Sequence, residues 1–142
     1  MNSSVKTIVS QKSPSKVILI CGLPGSGKTY LGNKLSKETG LEFIDDDILD
    51  KKPRILQSNG CIVADPAFIF TKTRKAVTKF LKGIPNIEWE WLFFENDPEQ
   101  CLINVDNRND ERRVSSFIKS FSNYYIIPTK RKVIPVYRKE QV

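Results

Sequence analysis

Gly22-Leu23-Pro24-Gly25-Ser26-Gly27-Lys28-Thr29 follows directly on Lys16-Val17-Ile18-Leu19-Ile20-Cys21. The hexapeptide is a short, continuous apolar run between Pro14 and Gly22, and it reads as a strand buried on both faces. The octapeptide fits the pattern GxxxxGK[ST] without a mismatch. Its glycines let the backbone curl so that several amides point at one anion. The helix predicted to open near Lys28 aims its first amides and its positive dipole end at the same place. Lys28 brings a charge suited to the β and γ phosphates of a nucleoside triphosphate, and Thr29 brings a hydroxyl suited to Mg2+. Gly22, Leu23, Pro24, Gly25, Ser26, Gly27, Lys28 and Thr29 are therefore the candidate ligands of ATP. A strand before the loop and a helix after it give the match its physical context.

Working outward, residues 29–39 carry Leu31 and Leu35 on one helical face and stop at Gly40, a favourable C-terminal cap. Residues 41–44 form a second short strand that runs into Asp45-Asp46-Asp47. A third strand, 61–64, ends at Asp65-Pro66, and a helix is expected over 67–82 with Phe68, Val77, Phe80 and Leu81 at core spacing. In 87–94, Ile87, Trp89, Trp91 and Phe93 alternate with Glu88, Glu90, Leu92 and Phe94, which is strand periodicity. The tryptophan face reads first as core, although it has the chemistry to stack on bases. Asp97-Pro98 opens a helix toward Asn107 with proline at its first position. Another helix covers 114–125, and a last strand is expected over 132–137. Alternating strands and helices predict an α/β fold with a parallel sheet and helices on both faces.

The 142 residues suit one domain. Residues 1–15 read as a flexible polar tail and 16–142 as the folded domain. Cys21, Cys61 and Cys101 are odd in number, widely spaced and set beside apolar runs, so they read as buried free thiols in a cytoplasmic protein. Neither a secretory signal nor a membrane span is expected. With 23 Lys+Arg against 16 Asp+Glu, the formal charge is +7. That balance suits either a polyanionic partner or a protein whose only anions are its own nucleotide phosphates. There is no histidine, so proton transfer falls to a carboxylate, a lysine or water.

Three adjacent carboxylates at a strand's C-terminal end lie where open α/β sheets bind ligands. They repel one another unless a cation or donor compensates. Transfer to a hydroxyl requires a carboxylate to hold or accept its proton, and this cluster is the candidate; an acidic helix cap is the plainer alternative. Asp65 reads either as a carboxylate for Mg2+ or as the N-cap of the following helix. Arg108 and Arg112 share a helical face and could neutralise a transferring phosphoryl group, or lie on a solvated helix end. Thr129-Lys130-Arg131-Lys132 could touch a phosphate backbone or form a solvated turn. A guanine-specific NKxD motif is missing: Asn33-Lys34-Leu35-Ser36 lacks the aspartate, which argues against a regulatory GTPase.

Taken in order, Gly22 to Thr29, "FIDDDIL" (43–49), "CIVADPAF" (61–68) and "RNDER" (108–112) resemble P-loop kinases, most closely the polynucleotide-kinase-type group. The resemblance implies a three-layer P-loop kinase fold with about five parallel strands, ATP and Mg2+ as cofactors, and an alcohol as acceptor. It implies that Asp46 activates the acceptor hydroxyl, with Asp47 beside it. It also implies that Asp65 serves the metal, and that Arg108, Asn109 and Arg112 form a lid. Where such kinases often carry an arginine for the acceptor's phosphate, this chain has Ile48-Leu49-Asp50, and Arg54 is the candidate replacement. "FIDDD" is also similar to the F-x-D-x-D of shikimate-type kinases, in which Asp45 and Asp47 would be the working pair. That family's later glycine-rich acceptor motif is missing. "FFENDPEQCLINVDNRND" (93–110) resembles phage kinases that phosphorylate hydroxymethyluracil in DNA. The implied acceptor is therefore a hydroxyl on nucleic acid, first the hydroxymethyl group of hydroxymethyluracil in DNA and otherwise a polynucleotide 5′ end; a small-molecule or nucleotide kinase of shikimate or gluconate type is the alternative, and a non-catalytic nucleotide-binding module is the alternative of another class.

Overall fold

The computed structural model describes residues 14–45, 60–107 and 115–138. Among these residues five strands form one parallel sheet: β1 (Ser15–Cys21), β2 (Glu42–Ile44), β3 (Gly60–Ala64), β4 (Ile87–Phe94) and β5 (Val133–Ile134), in the order β2-β3-β1-β4-β5. The helices are α1 (Lys28–Thr39), α2 (Thr71–Lys82), α3 (Pro98–Asn107) and α4 (Ser115–Tyr124), with a 3-10 turn at Pro66–Ile69.

The central strand explains the architecture. Val17 to Cys21 are five consecutive buried residues, so β1 must be covered on both faces. Val17, Leu19 and Cys21 join Val77 and Leu81 of α2, Cys101 and Val105 of α3 and Ile118 of α4 in one core. Ile18 and Ile20 join Ile62, Ala64 and Phe94 in a second core, beneath Leu31 and Leu35 of α1. Helices thus lie on both faces. The connection from β1 moves toward β2, and that from β3 crosses β1 to reach β4. Right-handed crossovers in opposite directions must use opposite faces. The adjacent ends of β1 and β3 therefore flank a switch-point crevice at the carboxyl edge, where such sheets bind ligands.

Two expectations are corrected. The helix over 67–82 is broken: Phe70 is extended (φ −83°, ψ 127°), which separates the 3-10 turn from α2. The break lets Phe68 and Ile69 both enter the core, which neighbours on one continuous helix could not do equally. The strand over 132–137 shrinks to Val133–Ile134. Pro135 has no N–H to give a ladder, and the next two amides bind elsewhere, as described below. The tryptophan face packs largely as core: Trp89 and Trp91 are half-buried against the α2 side. The three cysteines are buried free thiols, as expected.

One helix position was unreadable in the sequence. Gly32 is the buried residue of α1, because the Phe43 ring lies 2.3 Å from where its Cβ would stand. No helix among the described residues is long and apolar enough to cross a membrane.

Candidate active site

Gly22 to Gly27 connect β1 to α1 across the carboxyl edge of the sheet. Gly25 (φ 86°) and Gly27 (φ 111°) hold the left-handed turns that curl the loop. A Cβ at Gly25 would also stand 2.6 Å from the Cys101 carbonyl oxygen, so α3 packs directly against the loop backbone. Gly27 is the N-cap of α1, and no side chain caps that helix. Its first-turn amides are therefore directed at the loop's concavity with the positive end of the helix dipole. Lys28 Nζ folds over the loop and donates to the carbonyls of Gly22 (2.8 Å) and Leu23 (3.0 Å).

The Ser26 hydroxyl is buried and has no hydrogen-bond partner among the described residues. Native structures rarely leave such a group unmatched without a functional reason. An anion held by the loop would supply the acceptor, so the residues fit a triphosphate. The donor set fits Mg2+ as well. No cluster of three or more His, Cys, Asp or Glu that could hold a metal occurs among the described residues. Mg2+ characteristically takes one or two protein oxygens together with phosphates and water.

Those oxygens converge. Thr29 Oγ1 donates to Asp45 Oδ2 at 3.3 Å, which brings the first carboxylate of the acidic cluster to the phosphate loop. The register that pairs Ile44 with Val63 and Ile20 with Ala64 sets Asp45 and Asp65 at the same sheet edge as the loop. Asp65 is buried, and its Oδ1 accepts the Ala67 amide at 2.8 Å, capping the 3-10 turn. The capping reading is thus realised by one oxygen of this carboxylate. Asp46, Asp47, Arg54, Arg108 and Arg112 lie outside the described residues.

Other residues at the loop escaped sequence reasoning. Asn104 of α3, buried, donates both amide hydrogens: to Gly25 O (2.8 Å) and to Tyr137 O (2.7 Å). Gln100 Nε2 donates to its oxygen (3.0 Å). Tyr137 N–H in turn donates to Ser26 O (2.9 Å). The segment after β5 is therefore stitched to the phosphate loop rather than to β4. The signal was present: Asn104 interrupts an apolar stripe formed by Cys101 and Val105. Tyr30 and Tyr137 present exposed rings 5.9 Å apart beside the loop. Arg138 pairs with Glu95 (3.2 Å) and Asp97 (2.8 Å), and Val136 N–H donates to Glu95 Oε1 (2.9 Å), which anchors the segment.

Arg74 is the other unforeseen group. It is buried, and it donates to the carbonyls of Phe68 (2.7 Å), Ile69 (3.0 Å) and Ile126 (2.7 Å) rather than to a carboxylate. Its guanidinium lies 5.4 Å from the Phe93 ring centre and 3.7 Å from Cys21 Sγ, just below the start of the loop. A desolvated positive charge there favours an anion above it. Burial pushes the Cys21 thiol up to about 11 and the Cys101 thiol up to about 12, and it raises the Tyr125 hydroxyl as well. These groups stay neutral beneath the site.

No family model matches the chain. Over 125 residues it is 33% identical to the uncharacterized protein R277 of Acanthamoeba polyphaga mimivirus, across 82% of this chain and 91% of that protein. Its fold is similar to a gluconokinase from Sinorhizobium meliloti 1021, with a TM-score of 0.61, 15% identity, and coverage of 87% of this chain and 83% of that one. A shikimate kinase from Acinetobacter baumannii aligns with a TM-score of 0.43 and 15% identity over 96% of this chain and 89% of that one. The chain has the three-layer P-loop kinase fold and belongs to one family with the mimivirus protein R277.

Proposed function

We propose that the chain is an ATP-dependent kinase that transfers the γ-phosphate to an alcohol. The observation that carries this reading is the contact between Thr29 and Asp45, which joins the phosphate loop to the acidic cluster. A loop alone suits switches and motors equally; a carboxylate cluster at its metal end suits transfer to a hydroxyl. In this reading the loop amides, Ser26 and Lys28 hold the phosphates, and Tyr30 and Tyr137 flank the base. Thr29 and Asp65 would hold Mg2+, which would supply positive charge to offset that of the phosphates. Asp46 orients the acceptor hydroxyl and takes its proton, with Asp45 and Asp47 beside it. Arg108 and Arg112 neutralise the transferring group, and Arg54 serves the acceptor.

The acceptor in this reading is a hydroxyl on nucleic acid, such as a hydroxymethylated base in DNA or a polynucleotide 5′ end. The net charge of +7 supports it. A small hydroxylated metabolite is the second reading, favoured by the fold likeness to a gluconokinase. A transfer screen with radiolabelled ATP over hydroxymethylated DNA, plain DNA, RNA ends, gluconate and shikimate separates the two. Lys28→Ala should lower transfer about 10²–10³-fold, the usual effect of removing one preorganised charge-stabilising donor. Asp46→Ala should lower turnover with little change in ATP affinity. ATP binding with no transfer to any acceptor class would leave a non-catalytic nucleotide-binding module instead.

A further inference from the structure

A cationic groove lies on the α2 side of the sheet, apart from the phosphate loop. Lys75, Lys79 and Lys82 stand at i, i+4 and i+7 on α2, which places them in one stripe. Arg131, from the turn before β5, faces them across a groove of about 420 Å³, and Trp91 and Phe93 contribute its apolar lining. The four cationic residues are exposed, and none has an ion-pair partner among the described residues. No carboxylate lines the groove among the described residues. Glu90 of β4 points away and pairs with Lys16 at 3.5 Å.

Lys79 and Lys82 lie in the last turn of α2, where the helix dipole favours cations, but the fold gains nothing from crowding them with Lys75 and Arg131. Like charges at i, i+4 weaken a helix. The first turn of α2 contains no acid, although the positive end of a helix dipole favours one. Four cations without an ion-pair partner among the described residues, set around a concave, low-dielectric wall, focus a positive potential. The Trp91 N–H is committed to Thr78 Oγ1 at 3.3 Å, so the indole offers the groove an apolar ring surface rather than a donor.

We propose that this groove binds single-stranded nucleic acid, with phosphates along Lys75, Lys79, Lys82 and Arg131 and a base against Trp91. A strand of unpaired nucleotides supplies both the regular negative charges and the flat rings that such a surface takes. A membrane is too flat to fill the groove, an acidic peptide lacks the bases, and a duplex hides them. The proposal stands whether or not the chain transfers phosphate, because binding is read without ATP.

The test is a fluorescence-anisotropy titration of the full chain with a labelled oligo-thymidine of about 12 nucleotides, a length within the usual range for such grooves. Four neutralised phosphates predict a log affinity against log salt slope of about −3. The Lys75→Ala/Lys79→Ala/Arg131→Ala variant should bind at least tenfold more weakly, with a slope shallower by about 2, and it should keep the parental melting temperature and ATP affinity. Binding should quench tryptophan fluorescence, and the quench should persist in Trp89→Phe. Unchanged oligonucleotide affinity in the triple variant would overturn the proposal. So would equal or tighter binding of polyglutamate, anionic vesicles or a duplex of the same length, since each would identify a different partner.

Discussion

Ser26 is the residue at which stability and function should separate. Its buried hydroxyl has no partner among the described residues, and such a group costs about 1–3 kcal/mol relative to one that is satisfied. Ser26→Ala removes the hydroxyl without adding volume. The variant should be as stable as the parent, or up to about 1 kcal/mol more stable. Its nucleotide affinity should fall, because a hydrogen bond to a charged group is worth about 1.5–3 kcal/mol, or at least tenfold. Urea denaturation and calorimetric ATP titration measure the two sides. A variant that lost stability while keeping its affinity would show that Ser26 serves the fold. Gly25 beside it belongs to the same design: its positive φ and the Cys101 carbonyl both exclude a side chain. Gly40 shares the positive φ but has nothing within 4 Å of a Cβ, so it is needed only to end α1.

At the scale of elements, legibility followed the range of the interactions that decide each one. The strand, loop and first helix were readable because an apolar run, a glycine pattern and a terminal glycine all act locally. β5 was not, because its continuation depends on partners far away in sequence. Val136 binds the Glu95 carboxylate, and Tyr137 binds the Ser26 carbonyl. The same holds at Phe70, where an extended residue splits an expected helix so that two neighbouring side chains can enter the core. In the site, Thr29 with Asp45 was legible as two motifs but not as a contact, and Arg74 gave no sign that it would be buried. Asn104 is the element-scale hinge of the site, because it ties α3 to both the phosphate loop and the segment after β5. Asn104→Asp keeps the shape and removes both donors. It should cost about 1–3 kcal/mol for the carbonyls left unsatisfied and raise the KM for ATP more than it lowers kcat. An equal fall in kcat with KM unchanged would place Asn104 in transition-state stabilisation rather than in positioning the loop.

For the whole molecule, the sheet order sets where charge and neutrality lie. The crossovers leave β1 and β3 on opposite faces, which opens the carboxyl edge above Cys21 while α2, α3 and α4 seal the space beneath it. Groups in that sealed space must stay neutral, and this makes stability depend on pH on the alkaline side. Cys21 rises from 9.0 to about 11 and Cys101 from 9.0 to about 12, both chiefly through burial. A folded-state value above the unfolded one contributes stability that is complete below pH 9 and is lost as pH rises through the folded value. Between pH 9 and 11 the unfolded chain releases these protons and the folded chain retains them, so each thiol lowers the unfolding free energy by up to about 1.4 kcal/mol per pH unit. Urea midpoints measured from pH 8 to 11 should therefore stay level near pH 8 and then fall. The Cys21→Ala/Cys101→Ala variant should start lower, because it loses buried volume, and should decline less steeply over the same interval. Lysine titration is common to both proteins, so the difference in slope isolates the thiols. Parallel declines would show that these thiols ionise equally easily folded and unfolded, and that the space beneath the phosphate loop is open to water.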